Sequence, residues 1–96
     1  MTKNEIVNKV ASATGLTKVE TEAVLEGILS TVVEAMSEGT RVDIRGFGSF
    51  LVKKKESRSA RNPATNEIIF LKERYVPSFK VSKILKEKIN KSLTSF

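Results

Sequence analysis

Residues 53–66 read Lys53-Lys54-Lys55-Glu56-Ser57-Arg58-Ser59-Ala60-Arg61-Asn62-Pro63-Ala64-Thr65-Asn66, with almost nothing to bury, between two segments patterned as strands. Such a segment cannot lie on a hydrophobic core. As the end of a β-hairpin it has to project into solvent, or stay unordered until a partner arrives. Asn62-Pro63 initiates a turn, and Asn66 tolerates the positive φ that a turn requires. The constraint reaches the rest of the chain. With a projecting arm of about residues 53–75 set aside, only about 70 residues remain to build a core, which is marginal for a domain that folds alone.

Those remaining residues carry two periods. Thr2-Lys3-Asn4-Glu5 and Thr17-Lys18-Val19-Glu20 both have capping-box spacing. Behind the first, Ile6, Val7, Val10 and Ala11 fall on one helical face, and Gly15 supplies the left-handed residue that ends a helix. Behind the second, Val24, Leu25, Ile28, Leu29, Val32, Val33 and Met36 form a broad apolar stripe that Gly39 closes. One short neighbouring helix cannot cover so wide a stripe, and dimerisation would.

The period then changes to two. Arg41-Val42-Asp43-Ile44-Arg45 alternates as a half-buried strand does, Gly46-Phe47-Gly48 reads as a tight turn, and Ser49–Lys55 begins a second strand. Glu67–Lys80 reads as a third, in which Pro77 predicts an edge or a bulge because it cannot donate to a ladder. Ser82 is placed to cap a last helix, Lys83 to about Asn90, leaving Lys91–Phe96 as a tail or frayed extension. The expectation is one α+β domain over residues 1–96. It has two N-terminal helices, a three-stranded antiparallel sheet with a long protruding β-ribbon arm at about 53–75, and a short C-terminal helix.

Charge separates the two halves. Residues 1–50 hold five Lys/Arg and seven Asp/Glu, while residues 51–96 hold twelve and four, consistent with the net +6 of the whole. A polarised basic half is the footprint of a polyanion partner, although charge alone leaves a merely solvated surface open. The chain has no Cys and no His. Disulfides, thiolate chemistry, the commonest general base and the commonest neutral metal ligand are therefore absent. No nucleophile–base pair can be proposed, so no enzyme, cofactor, metal or small-molecule substrate is expected. No apolar run suits a membrane, and Met1–Glu5 opens no secretory signal, so an intracellular protein is expected.

Lys53, Lys55 and their neighbours along the ribbon would pair with phosphates, and Arg58 and Arg61 could enter a minor groove, where charge and width are read. Pro63 has two readings. It can simply fix the turn, or it can act as a rigid apolar wedge between base pairs, bending a duplex by roughly 20–90°.

Three phrases bring a resemblance into view: Gly46-Phe47-Gly48-Ser49-Phe50, Arg58-Ser59-Ala60-Arg61-Asn62-Pro63-Ala64-Thr65, and Val76-Pro77-Ser78-Phe79-Lys80. At these spacings, from residue 1 to about 90, the chain resembles the bacterial HU/integration host factor family of DNA-bending proteins. The resemblance implies an intertwined dimer, most simply of identical chains though a heterodimer fits too, whose two β-ribbon arms wrap double-stranded DNA. It favours the wedge for Pro63 and adds Asn62 at the tip to the DNA contacts. It implies phosphate contacts at Lys3, Lys80, Lys83 and Lys86, and an aromatic dimer core of Phe47, Phe50 and Phe79. A cytoplasmic, nucleoid-associated role follows from the same source.

Asp43-Ile44-Arg45 and Tyr75-Val76-Pro77 resemble the β subunit of integration host factor. There Asp43 and Arg45 would help prefer certain sites, against the plainer reading of a surface ion pair worth little. Asn66 stands where the family usually has Gly, which stiffens the tip, and Val81-Ser82 replaces a small or Pro-Gly pair before the last helix. Two other functions stay open. One is a site-preferring bender acting in recombination, replication or transcription. The other is an interaction module whose arm docks on an acidic protein.

Overall fold

The computed structural model describes residues 1–94. Its elements are α1 (Lys3–Thr14), α2 (Lys18–Ser37), β1 (Val42–Ile44), β2 (Gly48–Lys55), β3 (Arg58–Arg61), β4 (Ile68–Leu71), β5 (Arg74–Val81) and α3 (Lys83–Thr94). Residues 1–35 and 36–96 form two compact units.

In the first unit the capping chemistry forms as the sequence dictates. Thr2 Oγ1 accepts from the Glu5 N–H at 3.3 Å. At α2 the box is reciprocal. Glu20 N–H donates to Thr17 Oγ1 and Thr17 N–H donates to a Glu20 carboxylate oxygen, each at 3.1 Å. The Thr17 hydroxyl, and after it the Thr17 N–H, hold the Glu20 carboxyl below its usual range. Gly15 ends α1 at φ 77, and its N–H reaches Ala11 O at 3.0 Å. A side chain there would meet the strain of the left-handed region.

The apolar faces of these helices remain largely uncovered. Val7 and Ala11, one turn apart on α1, are buried, while Val24 and Val33 of the α2 stripe are 56% and 62% exposed. Each such side chain contributes roughly 1.5–3 kcal/mol when removed from water, so the stripe is a strong drive to associate.

In the second unit β1, β2 and β5 form an antiparallel sheet in the order β1-β2-β5, and β3 and β4 form a separate two-stranded ladder. Phe50 opposes Val42 on one side and Phe79 on the other. Alternation therefore gives the sheet one apolar face, with Val42, Ile44, Phe50, Val52, Pro77, Phe79 and Val81. Pro77 opposes Val52 on β5, an edge strand, where an absent donor is tolerated.

Gly48 sits under the Phe79 ring. A Cβ on it would lie 2.6 Å from the Lys80 carbonyl oxygen and would also strike the ring. The phrase Gly-Phe-Gly is thus a turn followed by a close approach. Gly46 takes φ 80, Phe47 N–H reaches Ile44 O at 3.0 Å, and Gly48 leaves room for the aromatic packed on it.

Two expectations change. The single third strand over Glu67–Lys80 is two strands, β4 and β5, and the ribbon is broken symmetrically at Glu56-Ser57 and Lys72-Glu73. Charged residues crowd the break. Lys54 Nζ lies 3.7 Å from Glu56 and 3.3 Å from Glu73. The last helix does not stop near Asn90 but continues to Thr94, because Ile89 and Leu93 keep its apolar spacing and Thr94 Oγ1 donates to Asn90 O at 2.6 Å. Of the expected tail, residues 91–94 are helical, and residues 95–96 lie outside the described residues. β4 reads Ile68-Ile69-Phe70-Leu71, and Ile68 and Phe70 are exposed.

Candidate nucleic-acid interface

The lysine run divides by strand alternation. Lys53 and Lys55 lie on the face that also carries Ser49, Lys80 and Arg74, because Ser49 opposes Lys80 and Lys55 opposes Arg74. Alternate positions recur every ~6.6 Å along a strand, so these cations form a row. Lys54 points to the other face and is held by Glu56 and Glu73. Among the described residues, Lys53, Lys55, Arg74 and Lys80 have no ion pair, so their charges are available to a polyanion.

The row ends in a concavity of about 480 Å³ whose lining includes Arg41, Asp43, Arg45, Ser49, Lys80 and Lys83. Asp43 does not pair with Arg45, as a simple surface pair would have required. Arg41 Nε donates to Asp43 at 2.8 Å, the Ser49 hydroxyl donates to the same carboxylate oxygen, and Arg41 Nη2 reaches Ser49 at 3.2 Å. Ser49, and then Arg41, hold the Asp43 carboxyl below its ordinary range. Arg45, in the turn, is left without an ion pair among the described residues. Arg41 was missed in the sequence, though its spacing of two from Asp43 on a strand was the available signal.

Ser82 opens α3. Its hydroxyl accepts from Leu85 N–H at 3.1 Å, and its own N–H reaches Phe47 O at 3.0 Å. The unusual Val81-Ser82 pair therefore gives a well-defined helix start, which presents Lys83 and Lys86 on the first turn. Lys83 makes a loose 3.9 Å pair with Glu87, one turn on. Lys3 belongs to the other unit and is already engaged. Its ammonium pairs with Glu26, and the hydrogen bond and charge of that carboxylate raise its pKa.

At the end of the arm β3 and β4 pair from Arg58↔Leu71 to Arg61↔Ile68. Three positions separate Arg58 from Arg61, so the two leave opposite faces of the ribbon. The loop beyond is ordered by its own hydrogen bonds. Asn62 N–H reaches Glu67 O at 2.8 Å, Asn66 N–H reaches Asn62 O at 2.7 Å, and Ala64 N–H reaches the Asn62 side-chain oxygen at 2.9 Å. Asn66 carries the positive φ expected of it, at 63°. Asn62 is thus a structural strut of the loop that holds Pro63 at the far end of the arm.

The three phenylalanines meet. Phe79 lies between Phe47 and Phe50, with ring centroids 5.3 and 4.8 Å away and tilted at 50° and 45°. Such tilted pairs add about 0.5–1.5 kcal/mol beyond area burial. Phe47 and Phe79 nevertheless remain partly exposed, at 45% and 43%.

This arrangement is shared. A family model described as bacterial DNA-binding protein matches residues 1–90. DNA-binding protein HU of Thermotoga maritima is 45% identical over 89 residues, covering 93% of this chain and 99% of that protein. Among solved structures, the Anabaena HU–DNA cocrystal structure superposes with a TM-score of 0.83 at 40% identity, covering 93% of this chain and 97% of that one. HU from Thermotoga maritima gives 0.68 at 35% identity, covering 93% and 98%. With three diagnostic phrases, the order of elements and all three comparisons in agreement, the chain belongs to the HU/integration host factor family of bacterial DNA-binding proteins.

Proposed function

We propose that two copies of this chain form a dimer that grips double-stranded DNA and bends it without enzymatic chemistry, in keeping with its likeness to an HU–DNA cocrystal structure from Anabaena. The observation that carries this reading is the projecting ribbon. It has on one face a row of cations without an ion pair among the described residues, Lys53, Lys55, Arg74 and Lys80, and Pro63 on a hydrogen-bonded loop at its end. The row supplies affinity through phosphates, with Lys83 and Lys86 extending it on α3. Arg58 and Arg61, on opposite faces, make different contacts within the minor groove. Asn62 acts both as strut and as groove contact at the tip.

Pro63 is the wedge. It is rigid and has no N–H to desolvate, and unstacking one base step costs a few kcal/mol that the wrapped contacts offset. Lys3 adds a phosphate contact only by giving up Glu26. The exposed α2 stripe and the half-covered Phe47/Phe50/Phe79 cluster are the surfaces the second copy covers. Residues 1–96 act as one functional domain, in line with the family match over 1–90. The role is that of a nucleoid-associated cytoplasmic protein that compacts and organises bacterial chromosomal DNA with little sequence preference.

Bend angle and affinity, measured together for the wild type and Pro63→Ala, test this. The variant should bend DNA less while losing little affinity. Equal bend angles would remove the wedge.

A second reading has one observation in its favour: Arg45 is left unpaired beside Asp43, in the concavity next to Lys80. A site-preferring bender of the integration-host-factor type would use it to read DNA. Binding-site selection separates the two. A flat profile supports the general bender, and an enriched motif lost on Arg45→Ala supports the site-preferring one.

A further inference from the structure

Strand β4 is out of character for a solvent-exposed arm. Its four residues, Ile68-Ile69-Phe70-Leu71, carry no charge and are apolar on both faces. Because Arg61 opposes Ile68 and Ser59 opposes Phe70, these four side chains share one face of the ribbon. That face is the barer one. Ile68 is 73% exposed and Phe70 67%, whereas Ala60 and Leu71 on the reverse are half-buried. Two large apolar side chains held in water at the end of a lever are costly unless an occupant covers them.

Charge selects the occupant. Residues 53–75 hold seven Lys/Arg and three Asp/Glu. Two such arms brought face to face repel, which disfavours a second copy of β4 on this surface, while a polyanion is attracted. The minor groove offers that polyanion together with an apolar lining, since its walls are the C–H edges of deoxyribose. The same face presents Arg61, without an ion pair among the described residues, directly across the ladder from Ile68.

We infer that the Ser59/Arg61/Ile68/Phe70 face of the arm, rather than the Arg58/Ala60/Ile69/Leu71 face, lies against the deoxyribose walls of the groove, with Phe70 and Ile68 making an apolar contact behind the Pro63 wedge. This rests on the DNA-bending reading and deepens it, because it fixes which way the ribbon is turned in the groove. An apolar contact releases no counterions, so its share of the affinity does not depend on salt.

The test is a salt titration of binding to a straight duplex, with wild type, Phe70→Ser, Ile68→Ser and Arg61→Ala. Phe70→Ser should weaken binding about tenfold and Ile68→Ser somewhat less, at every salt concentration, with the log–log salt slope unchanged. Arg61→Ala should instead lower the slope by about 0.9. Phe70→Leu should restore most of the affinity.

Unchanged affinity in both serine variants overturns the inference. So does a weakening that comes with a lower melting temperature and that Phe70→Leu fails to repair, since the role would then be structural. If sedimentation of the DNA-free wild type finds species larger than a dimer that Phe70→Ser dissolves, the face is a self-association surface and the inference is wrong. If the wild type itself fails to bind duplex at low salt, the DNA-bending reading falls with it. A bound wild type with indifferent serine variants leaves that reading standing.

Discussion

The near and far halves of the arm are both antiparallel ribbons of about the same width, yet they are built on different physics. Near the sheet, β2 and β5 have a partly covered side. Phe50, Val52, Pro77 and Phe79 share a face, Phe79 fills the space above Gly48, and cations occupy the reverse. Beyond the break at Glu56-Ser57 and Lys72-Glu73, β3 and β4 half-bury only Ala60 and Leu71, and Ile68 and Phe70 stand in water. The near half is specified by packing within the protein. The far half is held by ladder and loop hydrogen bonds, and its apolar surface is left to water. On the proposed reading, a ribbon that enters a groove cannot also lean on its own core.

That contrast predicts stability effects confined to one half and binding effects confined to the other. The largest belongs to Gly48→Ala. A Cβ 2.6 Å from a backbone oxygen cannot be relieved by a rotamer change, so thermal or urea unfolding should register a loss of about 3 kcal/mol. A neutral Gly48→Ala would break the comparison at its root. Phe79→Ala removes the ring shared by both aromatic contacts, and because the ring is half-exposed the cost should be about 2 kcal/mol in the same measurement.

In the far half, Arg58→Ala and Arg61→Ala should leave the melting temperature within error, while each lowers the salt slope of duplex binding by about 0.9. A stability loss as large as that of Phe79→Ala would erase the distinction between the halves. Asn66→Gly relieves a non-glycine residue at φ 63 but loosens the unfolded chain, so its net effect on stability should stay within about 0.5 kcal/mol.

The smallest effect concerns acid. The Asp43 carboxyl is held below its ordinary range by Ser49 and Arg41, so its folded pKa lies under the unfolded value of 3.8. The stability it contributes is complete above that value and fades as pH falls through the lower, folded one. Asp43→Asn should therefore lower the melting temperature slightly at neutral pH, with the deficit shrinking as pH falls below 3.8, so that a small part of the acid-unfolding profile flattens.

Much of this could be read in the chain itself. Capping boxes, the left-handed Gly15, the change of period after Gly39 and the turn at Asn62-Pro63 are local signals, because each is set by residues within one or two turns of one another. The basic segment 53–66 was legible for the same reason, as a stretch with almost nothing to bury. What escaped was everything that depends on which residue stands across from which. No Gly or Pro marks the break at Lys72-Glu73, and only the facing Glu56-Ser57 makes it a break. The triple lysine looked uniform until cross-strand register put Lys53 and Lys55 on the cationic face and Lys54 against Glu73. Asp43 found Arg41 and Ser49 rather than Arg45 because Ser49 is its partner across the ladder. Sequence alone determined that this protein has a core-poor body and an arm for a polyanion, since composition and short-range sterics suffice for that. Tertiary structure alone decided which faces of the arm are cationic and which apolar, because pairing register is a long-range choice that a period of two leaves open.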